Sequence, residues 1–125
     1  MGVVYHASFI KWFELGRTEL MDEIGFPGAY LAKLPLWMPI ALVHCEYKKP
    51  AYYEEILEIV TYVSELGYVS MIVGCDIYRE STGELLVTGY TRHGFTDDKL
   101  KPISAKKVCP EFYEILREAA EDKER

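Results

Sequence analysis

The chain has 125 residues, of which half are apolar and 27% are charged, so the sequence predicts one globular domain over residues 1–125. The formal net charge of −6 argues against nucleic acid as the main partner, because the phosphate backbone favours a basic surface. No apolar run reaches the ~18 residues that a membrane span requires. Cys45, Cys75 and Cys109 lack the paired spacing of a metal site, so we expect reduced thiols in a cytoplasmic protein.

A long amphipathic helix is predicted from about His6 to Ile24. With about 100° between successive residues, one broad face of this helix is apolar and carries Phe9, Ile10, Trp12, Phe13, Gly16, Leu20 and Ile24. Gly25, followed by the Pro27-Gly28 pair, is typical of a helix end. A stripe this wide needs an apolar partner surface, most simply the face of a sheet.

Four strands are predicted after a loop or broken helical turn at 26–38. Alternation of apolar and polar residues, with many β-branched and aromatic side chains, places them at 39–49, 55–65, 68–79 and 85–95. They can run as an antiparallel meander of sequential neighbours, which makes the fold class α+β. A proline at the first helical position then predicts a short C-terminal helix at 111–121.

Apolar and aromatic side chains occur on both faces of these strands, among them Tyr62, Tyr68, Ile72, Tyr78 and Tyr90. One helix can cover only one face of a single sheet. We therefore expect a second copy of the chain to cover the rest, so that the protein is a homo-oligomer.

The segment GVVYHASF at 2–9, followed by WFE at 12–14 and GRTE at 16–19, resembles the hotdog-fold thioesterases of the 4-hydroxybenzoyl-CoA thioesterase class. The nearest likeness is to the bacterial acyl-CoA thioesterases associated with the Tol–Pal system, and YKKP at 47–50 with EEIL at 54–57 looks like that family's second block. The resemblance implies a hotdog fold, in which an antiparallel sheet wraps a long central helix. It also implies homodimers or homotetramers with active sites between the subunits.

In this family the first strand ends in an Asp, three residues before the glycine that matches Gly2, and that Asp is the usual catalytic carboxylate. The sequence begins at Met1, so either the true start of the protein lies further upstream, which we expect, or another group replaces this Asp. The resemblance makes the backbone N–H of His6 the donor to the thioester oxygen, at a helix N-terminus that favours a developing negative charge. The His6 imidazole could act as a base, orient the carboxylate or line the pocket.

Glu14 is a second candidate for catalysis. It lies eight residues after His6, about 12 Å along the helix and about 80° around it. In another branch of hotdog thioesterases the catalytic carboxylate lies on the central helix at about this spacing from the oxyanion donor. The alternative is a surface glutamate that pairs with Arg17.

The remaining polar residues have more ordinary interpretations. Arg17 falls in the apolar sector of the helix and is expected to pair with a carboxylate, or else to contact the ligand. Lys48 and Lys49 could hold the phosphates of a nucleotide-bearing ligand or simply be solvated. His44 alternates with apolar residues and is expected in the core, whereas His93 could reach the ligand. The cysteines are expected to pack, and the scattered histidines predict no metal site.

The sequence therefore predicts an enzyme that hydrolyses acyl-CoA thioesters to a free acid and coenzyme A. We assign His6 and Glu14 to catalysis, and Gly2, Tyr5 and Lys48 to substrate binding. No metal or redox cofactor is implied, because coenzyme A enters as part of the substrate. Direct attack by water and a covalent acyl-carboxylate intermediate both stay open. The alternative function is a module that binds acyl-CoA or another acyl ligand without hydrolysing it.

Overall fold

The structure, a computed structural model, describes residues 8–122, in which four helices accompany a four-stranded antiparallel sheet. The elements are α1 (Ser8–Glu23), α2 (Gly28–Leu31), β1 (Ile40–Tyr47), β2 (Leu57–Leu66), β3 (Ser70–Arg79), β4 (Leu85–Gly94), α3 (Ala105–Val108) and α4 (Pro110–Asp122). All four predicted strands are confirmed, with ends that differ by one or two residues, and so are the C-terminal helix and the described part of the long helix. Helix α2 is a single turn within the segment predicted as a loop or broken helical turn, and the short helix α3 was not predicted. Within the described residues no helix is long and apolar enough to cross a membrane.

The order of strands in the sheet is β1-β4-β3-β2, so the predicted meander is wrong for β1. β2, β3 and β4 do follow one another, but β1 pairs with β4, with Cys45 opposite Gly89. Residues 48–56 carry the chain from one edge of the sheet to the other. The backbone N–H groups of Lys48 and Lys49 bond to the Leu86 carbonyl, and Ala51 is fully buried there. Alternation along a strand determines its faces and not its neighbours, which is why the sequence did not reveal this crossing.

Helix α1 packs across one face of the sheet, which we call the inner face. Phe9 and Phe13 are each only 3% exposed and pack with buried residues of β3 and β4. Gly16 lies against Thr61 of β2 so closely that a Cβ there would overlap the threonine hydroxyl. Ile10, predicted on the apolar face of the helix, is instead exposed. The buried face is therefore narrower than predicted and is centred on the positions that meet the sheet.

A second core cluster lies beneath the C-terminal half of α1, where α4 closes over the sheet. Phe112 and Leu116 of α4 meet Val63 and Met71 of β2 and β3, and Met21 comes from α1. Both clusters rest on the same inner face. The two long helices thus cover that face together. A groove remains between α1 and the loop that follows it.

Gly89 of β4 is a point of close approach between the sheet and α1. A Cβ added there would overlap the backbone carbonyl oxygen of His44 and would lie 2.7 Å from the Phe13 ring. We expect Gly89→Ala to lower the free energy of unfolding by about 2 kcal/mol, because neither a paired strand nor a buried ring can move aside without loss. Urea unfolding measures this. Gly28→Ala is the matched control, since a Cβ at Gly28 meets nothing within 4 Å. Equal stability of the two variants would contradict the packing described.

The opposite face of the sheet, which we call the outer face, carries polar and aromatic groups. The Thr88 hydroxyl donates to Asp76 at 2.6 Å, and the Tyr62 hydroxyl donates to the same carboxylate at 3.4 Å. His44 stacks on Tyr90 with ring centroids 5.1 Å apart and is exposed. The prediction that His44 lies in the core is wrong, because pairing with β4 turns it to the face away from α1.

Candidate functional site

Gly2, Tyr5 and His6 lie outside the residues that the structure describes, so their predicted roles stay predictions. The other two predicted site residues are both described and both exposed. Glu14 lies on α1, where its backbone carbonyl accepts a bond from the Thr18 hydroxyl at 3.0 Å. Lys48 directly follows β1.

An aromatic cluster joins the start of α1 to the end of β1. The Phe9 ring packs edge-on against Trp12 at 4.9 Å and against Tyr47, the last residue of β1, at 5.6 Å. Lys48 follows Tyr47, so its backbone lies beside the first turns of α1. The structure thereby brings one predicted substrate-binding residue next to the helix end at which the thioester is expected. Phe9 and Phe13 themselves are core residues.

The two neighbouring lysines differ in what they contact. Lys49 Nζ lies 2.5 Å from a carboxylate oxygen of Glu84, and the other oxygen of Glu84 is 2.5 Å from Arg79, which also binds Glu55. These bonds lower the pKa of Glu84. Among residues 8–122, no carboxylate lies within 4.0 Å of the Lys48 ammonium. Lys48 therefore keeps its charge available at the surface, whereas Lys49 belongs to a structural network.

Arg17 does not have the carboxylate partner that the sequence predicts. In the described part of the chain no Asp or Glu oxygen lies within 4.0 Å of its guanidinium, and its Nη1 is instead 3.5 Å from Nε2 of His93. Burial lowers the pKa of Arg17, and the nearby charge of Glu14 offsets part of that effect. An arginine in the apolar sector of α1 thus faces a histidine of β4, 76 residues away in sequence.

His93 is 1% exposed, and its contacts determine where its ring proton lies. Nδ1 is 3.3 Å from the carbonyl oxygen of Met38, which can only accept, so Nδ1 carries the proton. Nε2 then accepts from the Thr91 hydroxyl at 2.8 Å and turns its lone pair toward Arg17. Burial and the charge of Arg17 lower the pKa of His93, which keeps the imidazole neutral beside the guanidinium.

A cavity of about 460 Å³ opens in front of this pair, between α1 and the segment from α2 to Met38. Arg17 and His93 contribute its polar wall. The rest of the lining is largely apolar and includes Met21, Leu31, Leu36, Trp37, Met38 and Met71. Sequence reasoning noticed Arg17 as an unusual cation but missed this cavity, because the segment at 26–38 carries no periodic pattern.

The lowered pKa of His93 predicts a pH dependence of stability. The unfolded histidine titrates near 6.5 and the folded one below that value, so the unfolded chain binds more protons in the interval between them. We expect the free energy of unfolding to fall as the pH drops below 6.5, by up to about 1.4 kcal/mol per pH unit from this group. Urea unfolding of the wild type and of His93→Gln at several pH values isolates the contribution of His93. Identical slopes for the two proteins would contradict the assignment.

The cysteines behave as packing residues. Cys75 and Cys109 are buried, Cys45 is half-buried, and none of the three is in a disulfide. Burial raises the pKa of each thiol, and that of Cys75 to about 11, which disfavours the reactive thiolate. Residues 8–122 contain no group of three or more His, Cys, Asp or Glu side chains placed to hold a metal ion.

Comparison with known proteins identifies relatives over almost the whole chain. Residues 1–116 match the family model described as the thioesterase-like superfamily. The chain is 31% identical over 120 residues to YneP of Bacillus subtilis, provisionally named an acyl-CoA thioesterase. This match spans 95% of this chain and 86% of YneP. It is also 31% identical over 71 residues to the acyl-CoA thioester hydrolase YbgC of Escherichia coli, a match that spans 57% of this chain and 53% of YbgC.

The fold has a near counterpart among solved structures. The DHNA-CoA thioesterase of Staphylococcus aureus superposes with a TM-score of 0.88 at 28% identity, covering 100% of this chain and 85% of that one. The fold class is therefore the α+β hotdog fold that the sequence predicts, although the place of β1 in the sheet differs from the predicted meander.

Proposed function

This chain belongs to the thioesterase-like superfamily, and on that premise we propose that it hydrolyses acyl-CoA thioesters to a free acid and coenzyme A. The observation that carries the proposal is the likeness to YneP over 95% of the chain, together with a thioesterase fold over its full length. The first turns of α1 contact the end of β1 through Phe9 and Tyr47, and the exposed Lys48 directly follows Tyr47 in the chain.

The proposed reaction uses the N-terminal end of the long helix to polarise the thioester. Backbone N–H groups without partners at a helix start, with that of His6 foremost, donate to the carbonyl oxygen and stabilise the oxyanion that forms when the carbon is attacked. The same motif resemblance assigns Gly2 and Tyr5 to substrate binding in this proposal. The Glu14 carboxylate takes a proton from water as the water oxygen bonds to the carbonyl carbon. The C–S bond then breaks, coenzyme A leaves as the thiolate, and Glu14 gives the proton to that sulfur. No cofactor takes part beyond the coenzyme A of the substrate.

The names of the relatives do not agree on one acyl group for the substrate. YneP and YbgC are named for acyl-CoA in general, and the Staphylococcus aureus enzyme for DHNA-CoA. Both an aliphatic and an aromatic acyl-CoA therefore belong in the test.

The test is thiol release from a panel of acyl-CoA esters, followed with a thiol-reactive dye. We expect turnover of at least one member of the panel, with one free acid formed per coenzyme A. Calorimetric binding of an acyl-CoA without any thiol release would instead establish the alternative, a module that binds the ligand and leaves it intact. If neither the aliphatic esters nor DHNA-CoA are hydrolysed or bound, the proposal is overturned.

Lys48 is proposed to hold the phosphates of coenzyme A. We expect Lys48→Ala to raise KM about tenfold and to leave kcat unchanged, because an ion pair remote from the thioester contributes equally to the ground and transition states. Steady-state kinetics on an acyl-CoA substrate measures both constants. Lys49→Ala is the matched control, since Glu84 already engages that ammonium. A larger rise of KM in Lys49→Ala than in Lys48→Ala would reverse the assignment.

We also propose that the protein acts as a homodimer or homotetramer in the cytoplasm. Strand β1 is an edge of the described sheet, and large apolar side chains stand out from it, with Ile40 49% and Tyr47 46% exposed. An uncovered edge strand of this kind favours pairing with a second copy. Light scattering should give two or four times the chain mass of 14.4 kDa. A monomer at micromolar concentration would contradict this proposal.

A further inference from the structure

The cavity beside Arg17 and His93 lies beyond the helix start at which the thioester is proposed to bind, and Arg17 is one turn past Glu14. Its lining from α1 consists of Arg17, Thr18 and Met21, about two turns or more beyond the start of the helix at Ser8. None of the residues that surround Lys48 takes part in it. Its volume of about 460 Å³ is in the range of small-molecule binding sites.

Arg17, which supplies the positive charge of this cavity, has no carboxylate oxygen within 4.0 Å among the described residues, and Glu14 attracts it only from a greater distance. The Arg17 guanidinium is partly buried in a largely apolar lining, and its one hydrogen-bond partner there is a neutral imidazole at 3.5 Å. A buried cation is stable when a hydrogen-bonded anion accompanies it, and a carboxylate matches the planar guanidinium with two parallel bonds. Glu14 lies one turn away and is exposed, so it does not fill this role.

His93 contacts one side of the Arg17 guanidinium, through Nε2 at 3.5 Å. Its Nδ1–H donates to the Met38 carbonyl and its Nε2 accepts from Thr91, so the ring is fixed between β4 and the cavity rim. Because Nε2 offers only a lone pair to Arg17, the other guanidinium N–H groups remain available to the cavity. The apolar side chains of Leu31, Leu36 and Met71 surround the rest of the space.

We propose that this cavity binds an amphipathic carboxylate, whose anionic group pairs with Arg17 and whose hydrocarbon body packs on the apolar lining. The positive charge of Arg17 favours an anionic head group, and the apolar lining favours a hydrocarbon body. Binding there needs no thioester. The proposal is therefore independent of acyl-CoA hydrolysis, and either can fail while the other holds.

The test is calorimetric titration with octanoate and with octanamide, its uncharged counterpart. We expect octanoate to bind one per chain and octanamide to bind at least about tenfold more weakly, since the amide lacks the charge that Arg17 meets. Trp37 lines the cavity and is 53% exposed, so its fluorescence should move to shorter wavelength as octanoate excludes water. Trp37→Phe should abolish that emission change and keep the binding heat.

Substitutions of the arginine decide the role of its charge. Arg17→Met should weaken octanoate at least about tenfold and leave octanamide unchanged, while Arg17→Lys should retain part of the preference for the anion. Arg92→Met is the matched control, because Arg92 is exposed on the outer face of β4. Thermal unfolding establishes that each variant is folded. Equal affinity for the two ligands, unchanged octanoate binding in Arg17→Met, or absence of heat at millimolar octanoate would overturn the proposal.

Discussion

Replacing His6 with proline is expected to lower kcat for acyl-CoA hydrolysis by about 100- to 1,000-fold, the usual cost of losing one oxyanion donor. Proline removes the backbone N–H that is proposed to hold the thioester oxygen, and it is tolerated at the beginning of a helix, where that N–H has no partner within the helix. KM should change little, because the bond strengthens as negative charge develops on the oxygen. Steady-state thiol release measures both constants.

His6→Ala is the matched variant, because it removes the imidazole and keeps the N–H. It should lose less activity than His6→Pro, and the difference between the two isolates the contribution of the amide. Thermal unfolding should show similar midpoints for both variants. Wild-type turnover in His6→Pro, or equal losses in the two variants, would remove the backbone amide from the mechanism.

Glu14→Gln is expected to lower kcat about 100-fold or more with little change in KM, because glutamine keeps the shape of the side chain but cannot accept a proton from water. Glu14 is exposed and lies on α1 one turn after the aromatic cluster that joins this helix to the end of β1. The measurement is again the kinetics of thiol release, with one substrate for all variants.

Glu19→Gln provides the comparison for Glu14, since it removes another exposed carboxylate from the same helix. It should retain nearly full activity. Glu14→Asp keeps the charge but withdraws it by one methylene, so an intermediate rate is expected if position matters as much as charge. Equal activity of Glu14→Gln and Glu19→Gln would assign the proton transfer to another group.

The elements of this fold could be predicted because each one repeats a local pattern. Apolar residues recur about every 3.6 positions along α1 and every second position along the strands, because these are the positions that face the core. Phe13 and Met71 are buried as that reasoning requires. Ile10 shows the limit, since its exposure depends on how wide a strip of the sheet the helix covers.

Pairing between distant segments could not be predicted in the same way. His44 and His93 each lie on a predicted strand, yet the first is exposed and the second is only 1% exposed. Their faces depend on the pairing of β1 with β4 and on the side that α1 covers, and neither is encoded in a run of ten residues. Arg17 was recognised as unusual, but its neighbour lies 76 residues away and the cavity forms only in the assembled fold.

The proposed catalytic residues rest on a different kind of inference. Spacing alone relates His6 to Glu14, and their assigned chemistry comes from the resemblance of the N-terminal motif to a thioesterase family. The structure adds one spatial relation, namely that the end of β1, which Lys48 follows, packs beside the first turns of α1.

The central claim is that a backbone amide at the start of the long helix holds the thioester oxygen. Nuclear magnetic resonance of an isotope-labelled sample tests this claim directly. The sample is titrated with an acyl-CoA analogue that cannot be hydrolysed, because a methylene separates its carbonyl from the sulfur. The His6 amide proton should move downfield more than any other amide of the helix, and an alkyl-CoA thioether without the carbonyl should not move it. Saturating binding of the analogue with an unmoved His6 amide would contradict the account.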